Sequence, residues 1–211
     1  MNLMMTAYHW ILFFAFGICF ISCSYHFFRI LSLGLPKDYS KPLGKVGPAI
    51  AYSLTTAMSP LKKETAYLHF PTYTAGIIFH LGTFLSFAWL IISFFEFGLP
   101  QWMVYASSLF LVVSAICGIS ILIKRLTKAS LKSLSNADDY VSNILVTGFQ
   151  ILSLANLMWD TFPVLAIFST ILFIYIPLGK LRHTVYFFTS RIHLGFFYGW
   201  RGVWPSGRRP E

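Results

Sequence analysis

Long apolar runs alternate along this chain with shorter segments that gather its lysines, arginines and prolines. The runs cover residues 7–31, 71–97, 102–123, 140–158 and 163–183. An apolar helix of roughly 20 residues crosses a hydrocarbon core of about 30 Å and satisfies its own backbone polar groups there. The pattern predicts an all-α integral membrane protein, with five transmembrane helices bundled within residues 1–184. Gly98-Leu99-Pro100 and Trp159-Asp160-Thr161-Phe162 are short turns between spans. Asn136-Ala137-Asp138-Asp139 reads as a helix start, with a capping side chain and acids at the positive end of the helix dipole. Residues 32–70 are broken by Pro36, Pro42, Pro48 and Pro60, so no continuous helix fills them. Within that cytoplasmic loop, residues 49–58 form a candidate short helix for the membrane surface or a docking partner. Residues 185–211, with Trp200, Trp204 and several other aromatics, read as an interfacial tail.

Charge adds an orientation. The chain is 56% hydrophobic and 11% charged, with a formal net charge of +9. In a soluble protein that excess would suggest nucleic acid, but here the cations sit at the ends of apolar runs. With five spans, all 16 Lys and Arg residues fall on one side, leaving Glu96 and Asp160 as the only charges on the other. Cytoplasmic loops carry such an excess, which places the N-terminus outside and the C-terminus in the cytoplasm. The expected location is the cytoplasmic (inner) membrane, with multiple passes. The three cysteines, Cys19, Cys23 and Cys117, lie inside apolar runs as small hydrophobes. Without a cysteine cluster, the chain holds no iron–sulfur centre by itself.

The candidate chemistry lies in two histidines. His80 falls well inside the second run, where an ionisable side chain is costly and usually has a function. His183 closes the fifth run within Pro177-Leu178-Gly179-Lys180-Leu181-Arg182-His183. The five-span topology puts both in the cytoplasmic half, so the pair is expected to hold one haem b iron between two helices. Gly76, Gly82 and Gly179 are expected to let the ring approach the backbone, although small residues also serve helix packing. Lys180 and Arg182 are candidates for propionate contacts or for snorkelling. His69, His26 and His193 are lower-ranked alternatives as ligands or propionate partners, and His9 reads as an interfacial or packing residue.

Phe79-His80-Leu81-Gly82 in a second span resembles the cytochrome b (gamma) subunit family of respiratory nitrate reductase. The motif closing the fifth span, and the basic loop running into Asp138-Asp139, are similar to that family as well. The resemblance covers about residues 71–183. It implies a subunit that passes electrons between the quinone pool and a cytoplasmic iron–sulfur subunit, with His80 and His183 as ligands of the inner of two haems. The outer pair would fall near Leu90 and Leu165, neither of which is a ligand. One haem b is therefore expected, with quinone as a candidate substrate. Quinone is then handled on the cytoplasmic side, or a further membrane subunit completes the relay. Two other classes stay open: a haem-free membrane anchor of such a complex, and an unrelated small transporter.

Overall fold

A computed structural model describes residues 6–34, 39–59 and 69–205. Pro36, Lys37, Pro60, Lys62, Lys63, Arg208 and Arg209 therefore lie outside the described residues. Helices α1 (Ala7–Ser32), α2 (Val46–Leu54), α3 (Phe70–Phe94) and α4 (Gln101–Thr127) are followed by the short α5 (Ala129–Ser133). Then come α6 (Ala137–Trp159), α7 (Phe162–Leu178) and α8 (His183–Trp200), and no strand occurs among the described residues. Four helices, α1, α3, α4 and α6, are each long and apolar enough to cross a membrane. A fifth crossing is obtained when α7 and the broken helix after it are counted together.

That break departs from the expected single helix over residues 163–183. Pro177 supplies no N–H to the last turn, and Gly179 is extended (φ −94°, ψ −167°), so α7 stops at Leu178. The Tyr175 ring packs where a Gly179 Cβ would stand, which makes the stop a built feature. Lys180–Arg182 form one 3-10 turn, and His183 opens a new helix instead of closing the fifth.

The chain forms two compact units, one comprising residues 1–20 and 71–181 and the other residues 21–70 and 182–211. In the first, the apolar helices are joined by a buried amide. Gln150 of α6, fully buried, donates through Nε2 to the Phe79 carbonyl (2.9 Å) and to Thr83 Oγ1 (2.9 Å), both on α3. Its Oε1 accepts from Ser114 Oγ of α4 (2.9 Å), and Ser114 also reaches the Ile78 carbonyl (3.1 Å). One side chain thus ties three helices, with donors and acceptor all matched, as burial in an apolar bundle requires. The small residues of α4 are the packing surface the sequence suggests: Ser108, Leu111, Ser114, Ala115 and Gly118 form its buried stripe.

At one end of this unit α6 starts with the expected cap. The Asn136 side chain accepts from Asp139 N–H (3.1 Å), and Asp139 accepts from Asn136 N–H (3.1 Å). Asp139 also pairs with Arg125 Nη1 (2.9 Å) and with Lys180, while Tyr175 hydroxyl donates to Asp138. Removing a capping group costs about 1 kcal/mol, and breaking a buried ion pair costs more. The cations here are partly hydrated, so Asp139→Ala is expected to lower stability by about 2 kcal/mol and Asp139→Asn by about half that. Thermal unfolding in detergent checks this, and equal losses would mean that the charge contributes nothing.

The second unit joins the early loop to the tail. α2 packs along α8 so closely that a Cβ at Gly195 would lie 2.5 Å from Ile50 Cα, and one at Gly199 2.6 Å from Ala49 Cβ. Leu43 N–H donates to the Trp200 carbonyl (2.8 Å), and Trp200 Nε1 donates to the Ser40 carbonyl (2.9 Å). The short helix thus exists and is docked on α8 of its own chain, so residues 183–200 are a packed helix and not a tail running alone.

Candidate functional site

His80 lies in the first unit on the outward stripe of α3 with Ile77, Leu81 and Phe84, all exposed. Gly76, one turn before it, has nothing within 4 Å of where a Cβ would stand. That combination leaves a flat group room to approach the backbone beside the imidazole. Gly82 does not share the face: a Cβ there would run into Ser114 Oγ and Cβ of α4, so its small size serves helix packing. The expected role of Gly82 in ring packing is corrected on that ground. Gly179 likewise accommodates the Tyr175 ring.

His183 belongs to the second unit, exposed in the first turn of α8. Arg182, beside it, places its guanidinium 6.0 Å from the centre of the Tyr186 ring. His26 of α1 meets the same Tyr186 ring at 6.3 Å, so it sits one turn along α8 from His183. Lys180, its side chain half-exposed, pairs with Asp139. His69 is exposed just before α3, and His193 is half-buried on α8. Leu90 and Leu165 are 4% and 1% exposed, so the positions of a second, outer pair are closed by packing.

A polar cavity stands at the other end of the first unit, where α1 and α7 begin and α3 and α6 end. Its volume is about 570 Å³, and Tyr8, Trp89 and Phe162 supply apolar wall. His9 and Asn156, only 4% and 8% exposed, line it, with exposed Glu96 and Asp160 at its rim. His9 Nδ1 is hydrogen-bonded to Thr6 Oγ1 (2.7 Å), and Asn156 Nδ2 donates to Ser93 Oγ (2.9 Å). Their remaining polar atoms, His9 Nε2 and Asn156 Oδ1, are buried without a hydrogen-bond partner. Glu96 (φ 53°) and Asp160 (φ 49°) both occupy the left-handed backbone region, at a cost of about 1 kcal/mol each.

No reading of local motifs finds this cavity, because its residues come from four helix ends. One signal was present: Glu96 and Asp160 are the only charges on their side of the charge pattern, and His9 falls on that side too. Among the described residues, no group of three or more His, Cys, Asp or Glu side chains is placed to hold a bare metal ion. No family model, curated protein or solved structure matches this chain.

Proposed function

We propose that this chain is the haem b-carrying membrane subunit of a quinone-linked oxidoreductase in the cytoplasmic membrane, docked to an iron–sulfur subunit on the cytoplasmic side. The observation that carries the reading is His80, an imidazole on the outward apolar stripe of α3 beside the open backbone at Gly76. An ionisable group in such a stripe is retained against its solvation cost, which marks it as functional. His80 and His183 would hold the iron through ring nitrogens, and haem b, when bound, supplies one-electron transfer. Gly76 leaves the approach open, and Arg182 stands beside the second ligand as a cation for a carboxylate. Leu90 and Leu165, being packed core, support one haem rather than two. The cation distribution supports an outside N-terminus and a cytoplasmic C-terminus. Having no cysteine cluster, the chain depends on a partner for iron–sulfur chemistry.

Reduced-minus-oxidised spectra with pyridine haemochrome quantitation on the purified full-length complex test the proposal. About one haem b per chain is expected. A correctly assembled complex without haem absorbance would leave an anchor and overturn the electron-transfer reading.

A further inference from the structure

In the second unit, two stretches far apart in the sequence are fastened into one surface. The bonds from Leu43 N–H to the Trp200 carbonyl and from Trp200 Nε1 to the Ser40 carbonyl join them. A Cβ at Gly44 would stand 2.5 Å from the Gly199 carbonyl oxygen and 2.6 Å from Gly202 Cα, so the two backbones touch. That contact brings Lys41 and Lys45, both exposed, to the end of α8, where Arg201 follows the last turn. The Arg201 guanidinium lies over the Phe197 ring, 3.7 Å from its centre, and donates to the Phe197 carbonyl (3.1 Å). Stacking on the ring fixes the planar fork that suits a phosphate.

Two properties of this patch call for an outside partner. The first is charge. Lys41, Lys45 and Arg201 share the unit with Arg29, Arg182 and Arg191, and among its described residues there is no Asp or Glu. Cations without internal counter-charges gain from an anionic partner. The second is apolar exposure. Leu43, Phe197 and Val203, next to those three cations in the chain or one turn away, are 76%, 43% and 53% exposed.

A free anion or an acidic protein segment would answer the charge and leave the apolar side chains in water. A phospholipid answers both, with a phosphate for the cations and glycerol and acyl chains for the apolar groups. The setting agrees. α1, long and apolar enough to cross a membrane, runs into this unit with Arg29 in its last turn, and Lys41 follows soon after α1 ends at Ser32. Trp200 and Trp204, both half-buried here, are of the type that collects at head-group level. We infer that Lys41, Lys45 and Arg201, with Leu43, Phe197 and Val203, form a binding surface for an anionic phospholipid. A choline head group would bring a cation to a patch that already holds three, so the surface discriminates against zwitterionic lipid. It makes no use of His80 or His183 and does not depend on haem.

The test is microscale thermophoresis of the labelled full-length chain in a neutral detergent. Dioctanoyl phosphatidylglycerol, dioctanoyl phosphatidylcholine, glycerol 1-phosphate and polyglutamate are titrated in turn. Phosphatidylglycerol is expected to bind about tenfold more tightly than phosphatidylcholine, and to weaken as salt is raised. Glycerol 1-phosphate and polyglutamate should each bind at least about tenfold more weakly than phosphatidylglycerol. The loop pair Lys41→Gln with Lys45→Gln should bring the two lipids to within about twofold of each other, and Arg201→Gln should weaken phosphatidylglycerol binding several-fold. The pair Lys128→Gln with Lys132→Gln, exposed cations of the first unit, should leave the preference intact and so separates this surface from general basicity. Equal binding of the two lipids by the parent would overturn the assignment. So would a preference undiminished in the folded Lys41 and Lys45 pair, or lost equally in the control pair. Glycerol 1-phosphate binding as tightly as the lipid would make it a phosphate site, and polyglutamate doing so would make it a protein-docking site; either result overturns the lipid surface.

Discussion

Replacing His80 or His183 with alanine is expected to remove the haem absorbance of the purified complex completely while the complex still assembles. Both residues are exposed, His80 on the outward stripe of α3 and His183 in the first turn of α8. Neither truncation opens a cavity in a packed core, so stability should change by no more than about 0.5 kcal/mol. The effect would therefore be on the cofactor and not on the fold. Gly76→Leu provides a third arm, since a Cβ there meets nothing within 4 Å and the leucine would extend into the open approach beside His80. It should lower haem content with His80 intact. Haem retained in His183→Ala would transfer the second ligand to His26 or His193. Haem retained in both alanine variants would sink the pair.

A second large effect is expected at Gly82, where leucine should strongly destabilise the first unit. A Cβ at this position would overlap Ser114, and the overlap includes Ser114 Cβ, which cannot rotate away. α3 and α4 would have to separate. That movement would also break the bonds from Ser114 to Gln150 and to the Ile78 carbonyl, leaving a buried amide short of a partner. Overpacking costs about 1–3 kcal/mol, and the lost network adds to it, so Gly82→Leu should cost about 3 kcal/mol or more. Gly76→Ala should be neutral or slightly stabilising, because nothing opposes the methyl and alanine favours the helix. Thermal melts of both variants in detergent decide it, and similar melting points would contradict the packing described.

The contrast between these two glycines marks what the sequence could and could not disclose. The apolar runs and the Asn136 cap predicted α1, α3, α4 and α6 to within a few residues, because span length and capping are local properties. The end of α7 was also written locally, in Pro177-Leu178-Gly179, yet a run read as one span masked the stop. Which face Gly82 presents depends on the register of α3 against α4, which the apolar pattern of a membrane helix leaves open. The His9 cavity was hidden more deeply. It gathers single residues from four helix ends, and each one alone looks like an interfacial side chain.

The packing of α2 against α8 has a consequence for how signals can enter. Ala49 and Ile50 are seated on Gly195 and Gly199, with no room for even a methyl group between them. A force or a partner acting on the early loop therefore acts on the helix that begins with His183, although the two segments are far apart in the chain. The loop is a handle on that helix, and an antibody fragment gripping residues 46–54 would be holding the segment that opens with His183 by its lever.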